Sequence, residues 1–98
     1  MVRISDEIER DVIHLIVEKR LFSISKQTCD LVGNRLQEKY GCYFDKCLEH
    51  PEYLLDILSE AYGASAKNIV NQILDDLEQL SITPKIESFQ TRLTKFVS

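Results

Sequence analysis

The chain has 98 residues, 44% of them hydrophobic and 29% charged, with a formal net charge of −4. That length suits one small domain, which buries roughly 60–70% of its unfolded surface without needing disulfides or a metal. The composition excludes a disordered chain, and the acidic balance argues against a protein whose main task is gripping phosphate backbones.

Charge is unevenly spread. Residues 42–63 set Lys46 against Asp45, Glu49, Glu52, Asp56 and Glu60, whereas residues 82–98 carry Lys85, Arg92 and Lys95 against Glu87. Solvated helix faces account for this, and an acidic middle and basic tail can also orient one copy against another. No cationic start precedes an apolar signal core, and the run from Val12 to Val17 is interrupted by His14. The expectation is a cytoplasmic protein with no membrane association, in which Cys29, Cys42 and Cys47 stay reduced.

The spacing predicts a first helix from Asp6 to Leu21, capped by Ser5, with Asp6, Glu7 and Glu9 at its positive end. Ile8, Val12, Leu15 and Ile16 form one apolar stripe. Ile13, Val17 and Leu21 form a second, rotated well away from the first. Apolar groups on two sides imply two neighbours. One neighbour can be the last helix folding back with Phe89, Leu93 and Phe96, or a second copy across a two-fold axis. The expectation leans to a homodimer with Ile13, Val17 and Leu21 at its interface.

Ser25 caps a second helix through Tyr40, with Cys29, Val32, Leu36 and Tyr40 facing the core and Gly33 admitting another helix. Residues 42–49 connect, with one helical turn that tucks Phe44, Cys47 and Leu48 inward. Pro51 starts a third helix at the position where its missing N–H costs nothing. Leu54, Leu55, Leu58, Ala61 and Tyr62 form its apolar arc. Ser65 is expected to cap a fourth, lined by Ala66, Ile69, Val70, Ile73, Leu74, Leu77 and Leu80. Thr83-Pro84 opens a fifth, with Ile86, Phe89, Leu93, Phe96 and Val97. The fold class expected is all-α, a compact single-domain bundle of about five short helices over residues 1–98.

One phrase, L-x-E-x-Y-G, occurs twice, as Leu36–Gly41 and Leu58–Gly63. The flanking sequence does not repeat, so this is a helix-ending idiom used twice. Both glycines are expected in the left-handed conformation of a helix stop.

Chemical motifs are sparse. Cys42, Cys47 and His50, with Cys29, could converge on zinc, but their spacing fits no common zinc class, and thiols on apolar faces act as small hydrophobes. His14 has no nucleophile or acid visibly placed beside it. Asp75, Asp76 and Glu78 sit where a helix dipole disfavours them, a local conflict that can mark a partner site. Residues 21–28 lead into Arg35 and Lys39 faintly in the manner of a helix-turn-helix reader, with Lys26, Gln27 and Arg35 able to reach DNA. No phosphate loop, nucleophile elbow or zinc-protease motif is present.

From Tyr40-Gly41 to Leu80 the chain resembles an archaeal family of small helical domains, the Nitrososphaera output domain of the fifth type. The shared pattern is a Tyr-Gly stop, Pro51 with spaced leucines, Tyr62-Gly63, the small residues 64–66, and the run Ile69 to Leu77. Cys42, Cys47 and the basic last helix depart from it. The resemblance implies an all-α stand-alone or signalling-output domain and carries over no catalytic residues. The expected function is a non-catalytic intracellular protein-interaction or signalling-output module, without cofactor or metal, that self-associates and binds a protein partner. A helix-turn-helix nucleic-acid binder is the alternative.

Overall fold

The computed structural model describes residues 2–79 and 83–98. Among these the chain forms α1 (Val2–Ile24), α2 (Lys26–Tyr40), a 3-10 helix (Phe44–Leu48), α3 (Pro51–Tyr62), a shorter 3-10 turn (Gly63–Ser65), α4 (Ala66–Leu77) and α5 (Pro84–Val97). No described residue is in a strand. The all-α bundle expected from the sequence is the fold observed, and its Cα radius of gyration of 12.6 Å is that of one compact domain of this length.

Local signals set most boundaries. Ser25 is extended and its hydroxyl accepts the Thr28 N–H at 3.0 Å, so α2 begins there. Thr83 does the same for the Ile86 N–H ahead of Pro84. Three boundary features differ from expectation. Helix α1 already includes Ser5 and runs on to Ile24, so only Ser25 separates it from α2. The backbone bond from Ser25 N to Leu21 O at 3.1 Å carries the helix past the expected stop at Leu21. Ser65 makes no side-chain cap, because the turn Gly63–Ser65 already holds helical geometry and feeds straight into α4.

The two glycine stops also differ from each other. Gly41 has φ 64° and ψ 30°, the left-handed geometry expected, and its N–H bonds Gln37 O at 3.0 Å. Gly63 has φ 56° but ψ −125°, which is outside the left-handed helical well. It turns the chain more sharply so that the 3-10 turn can lead into α4.

One core unites the elements. Ile13, Val17 and Leu21 of α1 meet Val32 and Leu36 of α2, Phe44, Cys47 and Leu48 of the 3-10 helix, Leu54, Ile57 and Leu58 of α3, Ile69, Val70, Ile73 and Leu77 of α4, and Ile86, Phe89 and Leu93 of α5. The connector thus does what its sequence implied. Phe44 and Cys47 are fully buried and form part of the floor on which α1 lies. Leu80 falls outside the described residues.

This overturns the expected interface. Ile13, Val17 and Leu21 are each 0% exposed within a single chain. Neither of the two envisaged covers is the main one, since α1 packs chiefly on the 3-10 helix and α2, then on α4, with α5 touching it less. The physical reason is that the connector, short as it is, supplies a wide aromatic cover that helix periodicity alone does not reveal.

Candidate functional site

The face of α1 opposite that core stripe points to solvent. Ile8 is 56% exposed, Leu15 63% and Phe22 57%. They recur every seven residues along one helix, so they form a single line on its outer surface. Val12 lies between the first two, half-buried, and exposed Lys19 lies between the last two. Asp11 and Glu18 border the line. The stripe of Ile8, Val12, Leu15 and Ile16, expected to meet a neighbour, is therefore split, with Ile8 and Leu15 outermost and Val12 and Ile16 at its edges.

Two hollows adjoin this line at its carboxy-terminal half. One, of about 280 Å³, is lined by Ile16, Lys19, Arg20 and Ser23 of α1 and Asp76 of α4. The other, of about 540 Å³, is lined by Leu15, Glu18, Lys19, Phe22 and Ser23. Every wall of the second belongs to one helix. It is a groove between side-chain ridges and not a cavity between elements, so its shape suits a protruding side chain better than an enclosed small molecule.

The smaller hollow is braced by a bidentate ion pair. Arg20 donates from Nε to Asp76 Oδ2 at 2.8 Å and from Nη2 to Oδ1 at 2.7 Å. The guanidinium holds the Asp76 carboxyl below the usual range for an aspartate, aided by the charge of nearby Lys19, while partial burial works the other way. Asp76 thus serves the joint between α1 and α4. Of the three carboxylates singled out in the sequence, Asp75 and Glu78 remain exposed.

The suspected metal ligands do not converge. Cys47 is fully buried and Cys42 half-buried, whereas His50 is exposed, stacked on Tyr53 at 4.6 Å and 3.2 Å from Glu52. Burial pushes the thiols of Cys29, Cys42 and Cys47 upward, Cys47 most of all, so each is held as a protonated, weakly nucleophilic group. Among the described residues no group of three or more His, Cys, Asp and Glu is placed to hold a metal ion.

Of the residues suspected of reading DNA, Arg35 is engaged in an ion pair, as is its neighbour on the same helix, Lys39. Arg35 reaches Glu60 at 3.2 Å, and Lys39 reaches Asp56 at 2.7 Å and Glu60 at 3.2 Å. Tyr40 donates to the same Asp56 at 2.5 Å and stacks on Tyr53 at 4.0 Å. Lys39 and then Tyr40 hold the Asp56 carboxyl below its ordinary range. These contacts tie α2 to α3. Lys26 and Gln27 are exposed, but α1 and α2 meet at a single residue and not at the short turn that a helix-turn-helix reader uses. His14 sits beside Tyr43 and Phe44, with ring centroids at 5.4 and 5.7 Å, and pairs with Glu18 at 3.5 Å.

Phe22 escaped the sequence reading, although its spacing from Ile8 and Leu15 was a usable signal. So was the interleaving of that line by Asp11, Glu18 and Lys19, which marks a face meeting water. The surface stack of Tyr40, Tyr53 and His50 was not legible, because its members lie on two helices and a turn. No helix among the described residues is long and apolar enough to cross a membrane. The chain matches no protein-family model, no curated protein and no solved structure.

Proposed function

We propose that this protein is a non-catalytic interaction or signalling-output module whose docking surface is the outer face of α1. The observation that carries this reading is the line Ile8, Leu15 and Phe22, three large apolar side chains each more than half exposed on one helix. Scattered surface leucines need no explanation, but large apolar side chains aligned along one helix face and bordered by charges are the usual form of a protein-binding helix face. The rigid seat of α1 on the 3-10 helix, α2 and α4 supports the reading, since a face held in place loses little freedom on binding. The resemblance to the archaeal output domains points in the same direction. Three free thiols, an odd number, favour a reducing intracellular setting.

The test compares immobilised wild-type protein with a Leu15→Glu, Phe22→Ser variant in native lysate. Both positions are exposed, so the variant is expected to keep its helical circular dichroism. A protein retained by the wild type and lost by the variant supports the docking face. Equal retention by both refutes it.

A further inference from the structure

The outer line of α1 has the register of a coiled-coil seam. Ile8, Val12, Leu15, Lys19 and Phe22 alternate by four and three residues, which places Ile8, Leu15 and Phe22 at d positions and Val12 and Lys19 at a positions. The larger hollow lies along the same line. Four of its walls, Leu15, Glu18, Lys19 and Phe22, stand at i, i+3, i+4 and i+7. Those four positions are the hole that receives one knob from a facing helix.

The chemistry of the hole selects what enters it. Its apolar walls, Leu15 and Phe22, suit an aliphatic stem, and Glu18, whose side chain is 40% exposed, offers a carboxylate at the rim. The complementary knob is a long side chain ending in a cation. Lys19 is such a side chain, it sits at an a position of the same seam, and it is exposed. In a parallel pair, the knob at an a position enters the hole made by the preceding d and g, the same a, and the next d of the other helix. Lys19 of each copy therefore enters the Leu15–Glu18–Lys19–Phe22 hole of the other, with its ammonium brought to Glu18. Symmetry makes this contact twice. The parallel pair also sets the two Lys19 side by side, each offset by Glu18 of the other copy, whereas an antiparallel pair would set Asp11 beside Glu18 of the other copy.

From these relations we infer that the outer face of α1 is occupied by a second copy of this chain, as a parallel two-fold pair in which Lys19 of each copy fills the hole beside Glu18 of the other. This rests on the docking face proposed above and names its partner. The apolar area that the three d residues expose is on the order of 300 Å² per copy, the size of the largest patch on an ordinary single chain. The pair is therefore smaller than a standard stable interface and is expected to form at micromolar concentration and dissociate on dilution. Lys at an a position costs stability while fixing register, in keeping with a reversible pair.

Sedimentation velocity on the full chain, from low to several hundred micromolar, tests this. The wild type is expected to shift from monomer to dimer. Glu18→Lys alone and Lys19→Glu alone are each expected to weaken the dimer about tenfold or more, because each sets like charges together. Mixing those two variants in equal amounts is expected to restore dimer mass, since each then supplies what the other lacks. A Phe22→Cys variant is expected to form a disulfide-linked dimer under mild oxidation, with the wild type and its three thiols as the control. A monomeric wild type throughout the range overturns the inference, as does a mixture that stays monomeric. A dimer that Phe22→Cys fails to link overturns the parallel register. A monomeric wild type whose lysate partner is still lost with Leu15→Glu, Phe22→Ser would leave the docking face standing and remove only the second copy.

Discussion

Tyr43 lays its ring against Gly33, so that a Cβ placed at residue 33 would stand 3.0 Å from the ring's Cε1 and 3.2 Å from its Oη. The glycine that the sequence suggested would admit another helix admits an aromatic ring from the connector instead. That ring also tilts against Phe44 at 4.8 Å and His14 at 5.4 Å, so Gly33 helps seat the connector under α1. Gly33→Ala gains about 0.5–1 kcal/mol of helix propensity and forces a ring packed against Phe44 and His14 to shift. The two effects are expected nearly to cancel. In a Tyr43→Ala background the same substitution is expected to stabilise by about 0.5–1 kcal/mol, since no ring remains to be moved. Urea unfolding of the four proteins measures the coupling, and equal effects of Gly33→Ala in both backgrounds would refute the contact's role.

The two glycine stops make a second, discriminating expectation. No neighbour lies within 4 Å of a Cβ at either glycine, so the cost of substitution is purely one of backbone conformation. Alanine at Gly41 is expected to cost about 1–2 kcal/mol, and asparagine less, because asparagine tolerates the left-handed well. Gly63, with φ 56° and ψ −125°, lies where any side chain is strained. There alanine and asparagine are expected to cost alike, on the order of 2 kcal/mol or more. Melting temperatures of the four variants decide it. An asparagine that rescues position 63 as well as 41 would show that the two stops are equivalent after all.

The helices and most of their caps were legible because capping and periodicity are local properties, read within a few residues of Ser25, Gly41, Pro51 and Thr83. The connector was legible too, since Phe44, Cys47 and Leu48 had nowhere else to place their apolar surface. The face of α1 was not. Ile13, Val17 and Leu21 and the line through Ile8 and Leu15 are both apolar, and a helix wheel does not say which side meets the core. That choice belongs to residues distant in sequence, the 3-10 helix above all, and also Asp76, 56 positions from Arg20, which draws Arg20 toward α4 and so helps set the rotation of α1. Ion pairs of this kind carry no sequence signature beyond their charges.

That Arg20–Asp76 pair has a pH signature. The folded-state pKa of Asp76 is lowered, so its stabilising contribution is fully present above the ordinary aspartate value of about 3.9 and is lost as pH falls through the lower folded value. The side chains are 32% and 29% exposed, which limits the pair to about 1 kcal/mol. Asp76→Asn is expected to be less stable than the wild type by about that amount at neutral pH. The gap is expected to close as pH drops below the ordinary aspartate range. Glu49, Glu52 and Asp56, also lowered, titrate in both proteins and cancel from the difference. A gap that persists unchanged in acid would show that Asp76 contributes through packing and not through its charge.

Two leucines on the same helix provide the sharpest check of how α1 is turned. Leu21 is 0% exposed and Leu15 is 63% exposed, although both lie in the same helix with similar neighbours in sequence. Truncating a buried leucine removes its transfer free energy and leaves a cavity, so Leu21→Ala is expected to cost about 2–5 kcal/mol. Leu15→Ala removes surface that water already reaches, and in the monomer it is expected to change stability by about 0.5 kcal/mol or less. Val17→Asp with Leu21→Glu places two carboxylates in a core in which, among the described residues, no lysine or arginine is buried. Burying unpaired charges costs enough to unfold a domain of this size, so that double variant is expected to lose its helical circular dichroism and not merely to change its mass. The measurement is chemical denaturation at low micromolar concentration, where self-association contributes least. A destabilising Leu15→Ala together with a neutral Leu21→Ala would reverse the two faces of α1. It would return Ile13, Val17 and Leu21 to the surface and reopen them as the homodimer interface to which the sequence reading leans.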